Sequence, residues 1–128
     1  MKKLLLLSFT FLISLSLNAQ FGGFGGGAPK IKGKISGSVV DSISGAAVGF
    51  ASISIKRMGS KKILNGTLSE DDGKFSFTNI SPGKYQMEIT FLGYSDKTVS
   101  QIETTKKSPD NNLGTVFIVP SDLSLIHI

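Results

Sequence analysis

Cysteine and tryptophan are absent from this sequence, and histidine occurs once, at position 127. Without cysteine there is no disulfide framework, no thiol nucleophile and no thiolate metal site. Any fold has to be held by apolar packing and strand pairing. A Ser-His-Asp arrangement would depend on His127, next to the last residue, where a side chain is poorly held. The His and carboxylate ligands that zinc requires do not occur at workable spacing. A sugar-binding face is poorly supplied too, because it draws on exposed aromatic rings, Trp above all. Helical periodicity of useful length is missing beyond the first residues. The reading is therefore non-enzymatic, with no catalytic residue, no cofactor and no metal.

The N-terminus is informative. Lys2 and Lys3 are followed by an apolar run from Leu4 to Leu17 and then by Asn18-Ala19-Gln20. A short basic region, a short apolar core and a small residue form the pattern of a secretory signal peptide, with the cut expected between Ala19 and Gln20. The run falls short of the roughly 20 residues that span a bilayer. Removing residues 1–19 leaves 109 residues, enough for one small domain, with 12 basic against 9 acidic residues. The remaining lysines fall in separate groups, Lys30/Lys32/Lys34, Lys61/Lys62 and Lys106/Lys107, without interleaved aromatics. Such groups read as solvated loop and strand-edge charges, and no nucleic-acid stripe is expected.

Residues 20–32 begin as Gln-Phe-Gly-Gly-Phe-Gly-Gly-Gly. Glycine loses the most backbone freedom on ordering, so this stretch is expected to act as a flexible tether. From Gly33 the pattern becomes strand, turn, strand. Ile35, Gly37 and Val39 alternate with Ser36 and Ser38, and Asp41 to Gly45 makes a turn. Residues 48–56 are β-rich, with a parity slip near Gly49 that suits a bulge. Residues 64–69 form a short strand, closed by Glu70-Asp71-Asp72-Gly73. That acidic loop lacks the alternating ligands and distal Glu of a calcium loop, so Asp72 and Gly73 read as a hairpin turn.

Phe75 and Phe77 alternate with Lys74 and Ser76. Ser81-Pro82-Gly83 reads as a type II turn, with Pro82 fixing φ and Gly83 taking a positive φ. Lys84 to Phe91 is the clearest strand, placing Tyr85, Met87, Ile89 and Phe91 on one face. Gly93-Tyr94 ends it, with Tyr94 a core-edge residue. Thr98–Ile102 and Leu113–Val119 supply two more strands, and Asp41 and Asp110 read as turn residues. About seven short strands at this spacing predict an all-β, seven-stranded antiparallel sandwich over residues 33–120. The expected core is Ile35, Val39, Ile53, Ile55, Phe75, Phe77, Tyr85, Met87, Ile89 and Phe91.

Taken in order, Gly37-Ser-Val-Val-Asp41, Gly45-Ala-Ala-Val-Gly-Phe-Ala-Ser-Ile-Ser-Ile55, Gly66 to Phe77, Ile80-Ser-Pro-Gly-Lys-Tyr85 and Ile89-Thr-Phe-Leu-Gly-Tyr94 resemble a known pattern. It is that of the carboxypeptidase regulatory-like domain, a transthyretin-like (prealbumin-like) seven-stranded sandwich. The resemblance covers roughly residues 33–122 and carries no peptidase residues. Directly behind a signal peptide, the chain is similar to the N-terminal extension of TonB-dependent outer-membrane receptors. That likeness implies a periplasmic accessory domain facing the outer membrane. Its implied partners are the plug and barrel of the same receptor and proteins of the periplasm or the energising complex, with membrane contact only through the barrel. A free-standing carbohydrate-binding module and a regulatory domain severed from a carboxypeptidase are the alternatives.

Such receptors continue into a plug and barrel, for which 109 residues leave no room. The final Leu-Ser-Leu-Ile-His-Ile corresponds to the translation of a transposon-end sequencing adapter. Native sequence is accordingly expected to end near Asp122, with residues 121–128 a non-native tail.

Overall fold

The computed structural model describes residues 30–121. The signal peptide with its Ala19/Gln20 cut, most of the Gly-rich linker and the tail from residue 122 lie outside them.

Seven strands succeed one another: β1 (Gly33–Asp41), β2 (Ser52–Arg57), β3 (Ile63–Leu68), β4 (Lys74–Ile80), β5 (Gly83–Thr90), β6 (Lys97–Thr104) and β7 (Asn111–Ile118). They form a three-stranded sheet, β4-β1-β7, and a four-stranded sheet, β3-β2-β5-β6. The two sheets share one core, so the all-β sandwich read from the alternation is the fold. One pairing departs from the antiparallel expectation: β1 and β7 run parallel, from Ile35 opposite Asn111 to Asp41 opposite Ile118. Antiparallel neighbours can be joined by a tight turn. Here the whole chain separates the first strand from the last, so no turn dictates their relative direction.

Period two decides which side chains are buried. Ile53 and Ile55 of β2 lie opposite Ile89 and Met87 of β5, and all four are fully buried. Ile35, Val39, Phe75 and Phe77 supply the facing layer, with Phe75 and Phe77 edge to face at 6.4 Å. Complete burial of one such side chain contributes about 1.5–3 kcal/mol. Tyr85 is also fully buried, and its hydroxyl donates to the Ser81 carbonyl at 2.5 Å. Among the expected core residues only Phe91 differs. It lies just past the end of β5, half-buried, and its ring leans on Tyr94 at 5.6 Å.

Val48, Ala51, Ile80, Ile102, Val116 and Ile118 complete the core. Ile80, Ile102 and Val116 each lie beyond a break in strict alternation. Between Phe77 and Ile80 the register slips at Asn79 (φ 60°), between Val99 and Ile102 at Gln101 (φ 59°), and between Asn112 and Thr115 at Gly114 (φ 69°). Each extra residue re-aims the next side chain into the core, as a β-bulge does. The slip expected near Gly49 is not a bulge within a strand. β2 begins only at Ser52, and the turn ahead of it passes through Phe50 (φ 63°). Buried Ser69 closes this turn: its Oγ accepts from Ala51 N at 2.9 Å and donates to the Val48 carbonyl at 2.7 Å.

The turn before β5 also differs from the reading. Gly83 does take a positive φ, but at 158° it is far from the type II value of about 80°, and it opens β5 opposite Thr104. The left-handed residue of this stretch is Asn79, where β4 bends before it reaches the turn. Position 83 favours glycine for its φ, and an added Cβ would also meet the end of the Arg57 side chain at 2.9 Å.

Candidate functional site

Strand direction gives the sandwich two ends. At the base, β1, β3, β5 and β7 begin and β2, β4 and β6 finish. At the apex those directions reverse, so the chain enters at the base and leaves β7 at the apex.

The apex is tied together by Asp41, the last residue of β1. Its Oδ1 accepts from the Ile43 and Ser44 amides at 2.7 and 3.0 Å, which closes the first turn, and the Gly45 amide donates to its carbonyl. Oδ2 accepts from the Tyr94 hydroxyl at 2.6 Å, joining that turn to the β5–β6 connection. Tyr94 also bridges Pro120, Ser95 N donates to the Val119 carbonyl, and Ser121 N donates to the Gly93 carbonyl. Gly45 (φ 72°), Gly73 (φ 79°) and Gly93 (φ 86°) supply the left-handed conformations of these turns. Asp72, beside Gly73, accepts from the Lys74 amide at 3.1 Å and pairs with its ammonium at 3.4 Å.

The Tyr94 hydroxyl, together with the Ser44 and Ile43 amides, holds the Asp41 carboxyl below its ordinary value of 3.8. The same bond to Asp41 holds the Tyr94 phenol above its ordinary 10.0. A lowered carboxyl stabilises the fold above its unfolded value and loses that contribution as pH falls through its folded value. A raised phenol contributes fully below pH 10 and loses its contribution as pH rises through its folded value. Tyr94→Phe should therefore lower the melting temperature by a constant amount between about pH 4 and 10, the difference shrinking on both flanks. Melting curves of both proteins across pH 2–11 check this, and a gap that keeps growing below pH 4 would contradict it.

Charge is divided between the ends. At the base lie Lys32 just before β1, Lys34 near its start, Arg57 closing β2, and Lys61 and Lys62 in the loop after it. Lys84 opening β5 and Lys106 and Lys107 after β6 lie there as well. These eight cations face two carboxylates, Glu103 and Asp110, and the latter accepts from the Lys34 amide at 3.0 Å. At the apex Asp41, Glu70, Asp71, Asp72 and Asp96 outnumber Lys74 and Lys97. Lysine groups that look scattered along the sequence thus share one end. The signal lay in the alternation of connections: segments before β1 and after β2, β4 and β6 all fall at the same end of such a sandwich.

A shallow depression of about 430 Å³ lies on the β4-β1-β7 sheet, lined by Lys34, Ser36, Ser38, Lys74, Ser76 and Asn112 among others. Hydroxyls, an amide and ammonium groups are joined there by the Glu70 carboxylate and the Phe75 ring, a lining suited to hydrogen bonding. Among the described residues no group of His, Cys, Asp or Glu is placed to hold a metal ion. At the apex, Phe50 and Leu92 stand 65 % and 95 % exposed beside Asp96. A bulky residue in the left-handed region is costly, which makes the exposed Phe50 ring a candidate contact.

Solved structures share this fold at low sequence identity. The group B streptococcus pilus 2b backbone protein aligns with TM-score 0.54 and 17% identity over 73% of this chain and 43% of its own. A putative carbohydrate-binding protein from Bacteroides uniformis gives the same four values. The 3-chlorocatechol 1,2-dioxygenase of Rhodococcus opacus aligns with TM-score 0.52 and 10% identity over 70% of this chain and 60% of its own. The chain spans less than two thirds of each, so these likenesses concern the fold alone. No curated protein matches the sequence. The profile of the carboxypeptidase regulatory-like domain does match, over residues 34–116, from the second residue of β1 into β7. The chain belongs to the carboxypeptidase regulatory-like domain family.

Proposed function

We propose that this is a non-catalytic accessory domain at the N-terminus of a TonB-dependent outer-membrane receptor, acting on the periplasmic side as a spacer and contact module. The observation that carries the reading is the parallel β1–β7 pair. It places the incoming and outgoing chain at opposite ends, which is the geometry of a domain set in line along a longer chain. The signal-like leader and Gly-rich segment supply an export route and a tether on the incoming side. On the outgoing side, Phe50 and Leu92 offer apolar contacts beside the point where the chain leaves. Deleting residues 33–120 from the full-length receptor should reduce ligand uptake at equal receptor abundance. Unchanged uptake and abundance would remove the proposal.

A carbohydrate-binding role is the second reading. It is favoured by the polar depression on the three-stranded sheet and by the fold shared with the Bacteroides uniformis protein. Titration against a glycan panel tests it, and no binding at millimolar concentration would dismiss it.

A further inference from the structure

We infer that the base of the sandwich is a docking surface for an anionic lipid membrane. The inference rests on where the fold places charge and apolar side chains, and it is independent of the receptor proposal. The basic side chains there come from separate segments of the chain, and the sandwich alone gathers them. None is neutralised by an ion pair among the described residues, since the one salt bridge, Lys74 to Asp72, lies at the apex. The apex carries the opposite sign. An anionic surface would therefore attract one end and repel the other, orienting the long axis of the domain.

Two further features select a lipid surface over other polyanions. First, exposed apolar side chains lie among the lysines: Met58, Ile63 and Leu64 are 45 %, 61 % and 48 % exposed. Apolar groups surrounded by lysines suit an interface where hydrocarbon lies under a layer of phosphate. Second, the cations are lysines except for Arg57, whose guanidinium is held 5.4 Å over the buried Tyr85 ring. Lysine is a mobile point charge that suits a diffuse field, whereas recognition of a single phosphate or carboxylate favours the arginine fork. Among the described residues the base also offers no exposed aromatic side chain on which a nucleobase could stack, because Tyr85 is buried.

The test is co-sedimentation of the full chain with vesicles of phosphatidylcholine alone or mixed with phosphatidylglycerol. Because the leader is common to all variants, the preference for anionic vesicles is compared between variants. A lysine beside an anionic surface contributes roughly a fivefold gain in binding. Replacing Lys61, Lys62, Lys106 and Lys107 with Glu should cut the preference by at least about 600-fold, about fivefold for each lysine lost. Salt of about 0.5 M should abolish the preference of the parent chain. Replacing Lys74 and Lys97 at the apex with Glu should leave it unchanged. Ile63→Ser with Leu64→Ser should weaken vesicle binding severalfold at constant charge. All these side chains are exposed, and an unchanged melting temperature confirms each variant as folded. An undiminished preference in the four-lysine variant would overturn the docking surface. Loss of binding in that variant with none in the Ile63/Leu64 variant, and equal affinity for duplex DNA, would overturn the lipid assignment in favour of a general polyanion site.

Discussion

Ile89→Asp should abolish cooperative folding of the domain. Ile89 is fully buried at the centre of the four-stranded sheet, opposite Ile53 on one side and Lys97 on the other. The core cluster to which Ile89 belongs is hydrophobic, and its cross-strand partner Lys97 is exposed at the start of β6. An unpaired charge in such a site is destabilising by several kcal/mol even after the group neutralises itself by binding a proton. A domain of this size has only about 5–15 kcal/mol of stability in total. Thr90→Asp, one residue on and facing outward, should change stability by roughly 0.5 kcal/mol or less, as surface substitutions do. Circular dichroism melts of the two variants provide the comparison. A cooperative melt of Ile89→Asp near the parent temperature would mean that the strand faces the other way.

Two glycines with nearly the same φ should respond very differently to alanine. Gly45 (φ 72°) has nothing within 4 Å of the position its Cβ would take. Gly45→Ala should therefore lose only the left-handed preference, about 1–2 kcal/mol. Gly73 (φ 79°) faces the Val39 carbonyl oxygen, 2.5 Å from that position, with Val48 N and Ala47 Cβ at 3.3 Å. The Gly73 carbonyl accepts from Val39 N at 2.8 Å, so the clash falls on the backbone contact joining the β3–β4 turn to β1. Neither backbone segment can move away without breaking that bond. Gly73→Ala should destabilise by about 3 kcal/mol or more, adding steric overlap and a lost buried hydrogen bond to the conformational term. Urea unfolding measures both, and equal losses in the two variants would mean that the turn moves freely away from β1.

The apex and the core were legible in the sequence to different degrees. Wherever strict alternation holds, as in Ile53/Ile55 and Tyr85/Met87/Ile89, the buried face could be read directly, because a strand offers one residue in two to each side. The turn residues Asp41, Gly45, Gly73 and Gly93 stood out for their backbone chemistry. What could not be read is the contact from the Tyr94 hydroxyl to Asp41, which spans 53 positions. No local pattern announces a bond across that distance. The bulges were hidden for a related reason. Asn79 and Gln101 hold left-handed conformations without being glycine, so composition does not mark them, and the change of face they produce looks like noise in the alternation.

By itself, then, the sequence determined that the chain is all-β, that its core is aliphatic and aromatic without disulfides, and where most strands begin and end. It could do so because alternation, turn chemistry and the lack of cysteine are local properties carried by neighbouring residues. Only the tertiary structure decided that β1 and β7 lie parallel, that three bulges turn Ile80, Ile102 and Val116 inward, and that the separate lysine groups converge on one end. These depend on which strands become neighbours and in which direction they run. That choice is made by packing between residues far apart in the chain, and local preferences leave it open.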